Sequence, residues 1–413
     1  MAVAKLIYSL LSTALIQLAN LGYGVAAARL LGPYDRGILA YQVTLSMVVA
    51  TLLSFGISEA VSYKAATKSE GFVHTNYVAL SIAYGAIGSL SWLVVYPIMA
   101  PISSPDQYRA YLVFTCYPVL NYITISFVAW FAGAGLTKSW NVQRLLVQVI
   151  QPLALACFLT VEIPSIFLFA LSIVAAHVVA AVVGCWQISL SAFLEKPRWA
   201  EMKEILVLGT QTSGGRVSNL IRDNADKLIV GALATPEILA QYIVSVSFAQ
   251  VFNAYSQTIV QLYFSRIAQN FYSKTSSLIE TRSAALIVVG AATAVLASFI
   301  VGKWLVIAIF GHKFAMAGDL APYLVIGMAF ASVKSLISAH ALAMRKPLIT
   351  SKIDFYAVVP TLVLMFLSVR YAGAWGAVGA FTTSQGIIAV AMCTSFWMKS
   401  SELRRSKRLA SCE

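Results

Sequence analysis

Twelve apolar runs, each about as long as a helix that crosses roughly 30 Å of hydrocarbon, constrain this 413-residue chain more than any other feature. They fall at about 6–28, 38–60, 77–99, 110–133, 142–161, 165–190, 204–233, 238–264, 284–310, 320–343, 348–369 and 373–398. Apolar residues in these runs are not sequestered on one face, as a soluble helix requires, but continue around it. Hydrophobic residues make up 59% of the chain and charged residues 11%, against roughly a quarter charged in a soluble domain. No water-soluble fold hides that much apolar surface. The solvent of this chain is lipid, and the predicted class is an all-α integral membrane protein with about twelve transmembrane helices. Gly32-Pro33, Pro101, Pro105, Lys196-Pro197 and Arg345-Lys346-Pro347 punctuate the runs, and no soluble domain fits between them.

The formal net charge of +13 does not point to nucleic acid, because the basic residues are scattered without an aromatic-interleaved stripe. On short loops such charge sets orientation. With the N-terminus inside, 19 Lys and Arg residues fall on the cytoplasmic side and 9 on the outer side, with Lys334 inside a helix. Both termini are therefore expected in the cytoplasm of a cell with an inner membrane. The tail Arg404–Arg408 then touches anionic headgroups. Ala26-Ala27-Ala28 has the look of a signal-peptidase site, but Gln17 and Asn20 interrupt the preceding run, and the first run reads as a retained helix. The five cysteines are odd in number, lack metal spacing and read as small buried hydrophobes. The four histidines are far apart, so no metal or catalytic cluster is expected. Trp92, Trp140, Trp199, Trp304, Trp375 and Trp397 fall near run ends, as an interfacial belt would.

The first and seventh runs align at a constant offset: Thr13/Thr212, Asn20/Asn219, Leu21/Leu220, Ala26/Ala225 and Gly32/Gly231 coincide. This predicts two pseudo-symmetric six-helix lobes, residues 1–198 and 199–398, followed by a basic cytoplasmic tail, 399–413. An even number of spans per half keeps the halves parallel, with the symmetry axis along the membrane normal.

The seventh run carries the most chemistry. At 100° per residue, Thr212, Arg216, Asn219, Asp223, Asp226 and Lys227 share one side, while Val217, Leu220, Ile221 and Leu228 lie opposite. A charge facing mid-membrane hydrocarbon costs at least about 2.5–3.5 kcal/mol, so such a stripe lines water or pairs internally. Asp223–Lys227 and Arg222–Asp226 have the four-residue spacing of internal pairs. Arg216 has no carboxylate three or four residues away, and follows Ser213-Gly214-Gly215, glycines that are expected to loosen the helix. Lys334 is a second mid-span cation, with Ser338 on its face. The first run offers an uncharged polar stripe, Thr13, Gln17, Asn20 and Gly24, and Arg29 at its outer end. Glu59 and Asp354 are candidates for H+ or Na+ coupling together with Asp223 and Asp226, although both lie near run ends, where Lys64 and Lys352 are simple partners. More cations than carboxylates suit an anionic ligand, because Arg binds phosphate through bidentate charge-assisted bonds.

Ala28-Arg29-Leu30-Leu31-Gly32-Pro33-Tyr34-Asp35-Arg36-Gly37-Ile38-Leu39-Ala40 resembles the segment after the first helix of polysaccharide and O-antigen flippases, members of the multidrug/oligosaccharidyl-lipid/polysaccharide (MOP) exporter superfamily. Asp226-Lys227-Leu228-Ile229-Val230-Gly231 is similar to their seventh-helix signature. Phe310-Gly311 with Phe314 and Ala317 resembles the outer loop before their tenth helix, and Tyr371–Ala380 the Gly/Ala-rich start of their last. The resemblance implies two six-helix lobes around a central cavity and a polyprenyl-pyrophosphate-linked oligosaccharide as substrate. It implies alternating access for O-antigen or exopolysaccharide biosynthesis, no cofactor, and polysaccharide polymerase machinery as a candidate partner. Arg216, Arg222 and Lys334, with Arg29, stand where the family lines its cavity with cations; Asn219, Gln17 and Asn20 are the expected neutral ligands. A cation-coupled multidrug or metabolite antiporter of the same superfamily is the alternative. A membrane polymerase or ligase would need a large outer loop, and the loops here are short.

Overall fold

The computed structural model describes residues 2–54, 56–67, 74–188, 195–272, 281–343 and 348–409; the side chains of 2–7, 9–10, 212–219, 222–223, 254–255, 257–258, 261–272, 281–284, 343, 348–349 and 399–409 lie outside the described residues. Among the described residues the regular elements are helical: α1 (Ala2–Leu52), α2 (Ile57–Ala66), α3 (His74–Met99), α4 (Pro105–Phe114), α5 (Tyr117–Gly133), α6 (Thr137–Phe158), α7 (Ile166–Ile188), α8 (Trp199–Leu233), α9 (Pro236–Tyr272), α10 (Thr281–Phe310), α11 (Ala315–Ala343) and α12 (Leu348–Leu409), with a short 3-10 turn at His312–Phe314. Seven described stretches are long and apolar enough to cross a membrane, which makes this a multi-pass membrane protein. Two of them, Leu11–Leu52 and Thr350–Met398, exceed the length of one crossing. Each contains a glycine break, Gly32 at φ 76° and Gly373 at φ 55°. Left-handed backbone of this kind strains any residue with a Cβ. Pro33 then opens the second half of α1, where its missing N–H is no loss.

The chain forms two compact units, Met1–Ala232 and Leu233–Glu413. In the first, two expected spans take a different form. The run expected at 38–60 ends at Leu52, and a turn through Gly56 (φ 66°) leads to the separate helix α2. The run expected at 110–133 is two helices, because Pro118 near the start of α5 cannot donate to the preceding turn. Capping is explicit at the other end of α4. Ser104 accepts from Gln107 N at 3.1 Å, and the Gln107 side chain accepts from Ser103 N at 2.8 Å. Asp106, in the first turn of α4, caps a different helix, accepting from Ile166 N at 2.7 Å at the start of α7.

Trp92, expected at an interface, is instead fully buried. Its ring stacks on Tyr96 at 4.8 Å and meets Phe114 edge-on at 6.0 Å, and its Nε1 donates to Tyr111 O at 3.0 Å. An indole goes that deep only when its N–H finds an acceptor. Truncating such a ring removes both its contacts and its hydrogen bond. Trp92→Ala is accordingly expected to cost about 3–5 kcal/mol, read as a lower melting temperature in detergent; wild-type melting would count against this packing. Trp199, Trp304 and Trp397 are each about 70% exposed or more. Where α3 crosses α5, Gly85 lets the backbones meet: a Cβ there would lie 2.5 Å from Val119 Cα. The start of α8 belongs to this unit as well. Ile205 is buried with Ile57, Tyr77, Leu80 and Phe127. Around it, Lys64 of α2 donates to Glu204 at 2.5 Å and Asn76 of α3 to Glu201 at 2.5 Å. The span-based division falls at 198 and the packing division at 232.

In the second unit α11 packs against α9, α10 and α12. Gln241 of α9 ties down the turn before α11, donating to Lys313 O at 2.7 Å and accepting from Ala317 N at 2.9 Å. At the α12 break the two halves pass so closely that a Cβ on Gly376 would lie 1.9 Å from Ser368 O. Ile337 of α11 packs with Ile388, Met392 and Phe396 of α12. The expectation that the cysteines are buried fails for Cys116, Cys157 and Cys393, which are exposed free thiols, while Cys412 lies outside the described residues. Next to lipid a thiol is a small hydrophobe whether or not protein covers it.

Candidate functional site

The first half of α1 has three distinct surfaces. Ser12, Ile16, Tyr23 and Ala27 are buried. Leu11, Leu15 and Leu18 are 60%, 53% and 64% exposed and form an apolar stripe. Gln17 and Asn20 are also exposed, with Thr13 and Gly24 partly so, and at helical spacing they lie nearly opposite the leucines. An apolar exposed stripe suits lipid. A polar one on the same span needs water, because an amide facing hydrocarbon keeps no partner. Arg29 is exposed but follows Leu11 by about five full turns, so it projects with the leucines and not with Gln17 and Asn20.

α6 supplies a second polar stripe that sequence reading missed: Asn141, Arg144, Gln148 and Gln151 recur every three or four residues. Asn141 is buried and the other three are half-buried. The signal is the spacing of the amides, obscured by the apolar residues between them. Arg144 lies 4.5 Å above the Trp140 ring. Gln151 comes near the Tyr23 hydroxyl of α1, which meets Ser172 Oγ at 3.0 Å and donates to Phe169 O at 2.9 Å. Polar groups of α1, α6 and α7 thus join inside the first unit.

α8 runs as unbroken helix through Gly214 and Gly215, so the expected loosening there does not occur; intrahelical hydrogen bonds tolerate glycine at about 1 kcal/mol. The side chains of Arg216, Asn219, Arg222 and Asp223 lie outside the described residues. Further along, Asp226 is buried, and Lys227 donates to Asn224 Oδ1 at 3.2 Å.

Lys334 does not stand as an isolated cation. It is buried in the second unit, where Nζ donates to Gln385 Oε1 at 3.2 Å and lies 3.8 Å from Asp354 Oδ1. Asp354 therefore reaches across to α11 and does not depend on Lys352, its neighbour in sequence. Tertiary contact brings these two candidates together, which no spacing could reveal. Glu59 belongs to the first turn of α2, where Ser58 donates to it at 2.9 Å, while Lys64 takes Glu204 as partner. Among the described residues no group of three or more metal-ligating side chains gathers.

These features have known counterparts in fold. An inward-facing multidrug-resistance MATE family transporter of the MOP superfamily is similar with a TM-score of 0.77 at 13% identity, over 94% of this chain and 96% of that one. Lipid II flippase MurJ in an inward closed conformation gives 0.71 at 11% identity, over 94% and 87%. A MOP superfamily transporter from Pyrococcus furiosus, described as having a binding pocket of reversed polarity, gives 0.60 at 14% identity, over 97% and 96%. At such identities the likeness is one of fold. No curated protein sequence matches the chain. The polysaccharide biosynthesis protein family matches residues 2–263, more than half of the sequence. On that match the chain belongs to the polysaccharide biosynthesis protein family, and its relatives of the MOP-superfamily fold are transporters and flippases rather than enzymes.

Proposed function

We propose that this protein is a flippase that carries a polyprenyl-pyrophosphate-linked oligosaccharide across the inner membrane by alternating access, for O-antigen or exopolysaccharide synthesis. The observation that carries the reading is the exposed polar stripe Thr13, Gln17, Asn20 and Gly24, opposite the exposed leucines of the same span. A helix with lipid on one side and water on the other lines a path for a molecule that is itself half lipid and half sugar. Amide side chains suit sugar hydroxyls, which both donate and accept. Cations suit the pyrophosphate, and Arg216, Arg222 and Lys334 are proposed for that role, while Arg29, on the leucine side of α1, is not. The proposal includes twelve crossings in two lobes of six, with each glycine-broken helix crossing twice, and both termini in the cytoplasm. The lipid tail stays in the bilayer, and polymerase machinery is the partner downstream.

A cation-coupled antiporter of the same superfamily is the second reading. The observation in its favour is Asp354, a half-buried carboxylate whose hold on Lys334 is loose enough at 3.8 Å for an H+ or Na+ to exchange with it. Reconstitution separates the two. In proteoliposomes with lipid-linked oligosaccharide loaded inside, the protein is expected to expose the sugar to an external glycosidase, at a rate several-fold above protein-free vesicles. No exposure, together with cation-driven efflux of an organic dye, would replace the flippase by the antiporter.

A further inference from the structure

Arg36 opens the second half of α1, one turn after the Gly32 break, and belongs to a span. Its side chain is partly exposed, yet its Nε is buried with no hydrogen-bond acceptor. The guanidinium folds back over the first half of the same helix, with Nη2 4.0 Å from where a Cβ on Gly24 would lie and close enough to interact electrostatically with Tyr23. Among the described residues no carboxylate comes within ion-pair distance of it. The adjacent Asp35 makes no ion pair with it and lies near a second carboxylate, Asp106 of α4, a like charge that gives it no partner. Tyr23 is held by two hydrogen-bond partners, Phe169 O and Ser172, so the surface beneath the guanidinium is fixed before any ligand arrives.

A cation inside a membrane span normally pairs with a carboxylate or faces water. Here a fixed floor, a missing side chain at Gly24 and a buried donor without an acceptor leave the guanidinium of this partly exposed residue without a compensating anion. We propose that Arg36 is the binding residue of an anion subsite within the first unit for a phosphate-bearing headgroup. The planar fork matches a tetrahedral oxyanion through two parallel N–H···O bonds, which an ammonium cannot reproduce. This rests on the reading of the chain as carrier of a phosphate-bearing amphiphile, and adds Arg36 of α1 to the cations proposed on α8 and α11.

The test is equilibrium binding to purified full-length protein in nanodiscs, with undecaprenyl pyrophosphate, inorganic pyrophosphate and undecaprenol as separate probes. Arg36→Gln is expected to weaken undecaprenyl pyrophosphate binding by about tenfold or more, with Arg36→Lys between it and wild type. Undecaprenol binding and the melting temperature are expected to stay unchanged. Arg370→Gln, an exposed arginine of the second unit, is expected to bind as wild type. A parallel loss for inorganic pyrophosphate identifies the oxyanion as the whole determinant; a loss confined to the lipid form identifies the headgroup of an amphiphile. Wild-type affinity in Arg36→Gln overturns the subsite, makes Arg36 an interfacial anchor and leaves the flippase reading standing. No pyrophosphate-dependent binding by the wild-type protein overturns both.

Discussion

Lys334→Ala is expected to lower the melting temperature of the detergent-solubilised protein, and adding Asp354→Asn is expected to restore most of the loss. The Lys334 side chain is 10% exposed and that of Asp354 24%, so removing the lysine takes the 3.8 Å ion pair away from a largely buried carboxylate. Breaking one side of a buried pair costs on the order of 3 kcal/mol, because the survivor keeps its desolvation penalty and loses its compensation. Removing both charges removes the penalty with them. Asp354→Asn alone is expected to cost less than Lys334→Ala, since Gln385 at 3.2 Å still accepts from the ammonium. Export gives the second readout. If Lys334 also contacts the substrate, the double variant regains stability without regaining transport, a split that a purely structural pair would not produce. Identical melting of all three variants would show that the pair contributes nothing to the fold.

Arg216→Ala is expected to cut surface polysaccharide by roughly tenfold to a hundredfold while the protein reaches the membrane at wild-type level. Hydrogen bonds to a charged group contribute about 1.5–3 kcal/mol, and each 1.4 kcal/mol is about tenfold. Arg216→Lys keeps the charge but not the fork, and is expected to retain part of the activity. Val217→Ala, one position around the helix on its apolar side, is the control that keeps the polar stripe intact. Polysaccharide at wild-type level in Arg216→Ala would remove the seventh span from the proposed path.

Some expectations survived folding and others did not, for identifiable reasons. Gly32-Pro33 announced a break because φ 76° and a missing N–H are local properties of those two residues. Gly373 is the counterpart in α12, within the Gly/Ala-rich segment that the family resemblance singled out. Gly214 and Gly215 misled, since glycine permits a kink without requiring one, and the surrounding helix prevailed. Trp92 also misled. Its position near a run end says nothing about whether Tyr96, Tyr111 and Phe114 close around it. The α6 stripe was legible in principle from the spacing of Arg144, Gln148 and Gln151. It was masked by the hydrophobic average of its run.

Membrane residence and helical class were decided by the sequence alone, because continuous apolar runs leave a chain no aqueous fold and lipid leaves the backbone few alternatives to the helix. The same holds for the breaks that proline and positive-φ glycine impose. Only the tertiary structure decided which charge meets which. Lys334 finds Asp354 and Gln385 on another helix, Lys64 passes over Glu59 for Glu204, and Arg36 folds back on Gly24 and Tyr23 with its Nε lacking an acceptor. Coulomb and hydrogen-bond energies fall off with distance in space, whereas helical periodicity reports only neighbours on one's own helix.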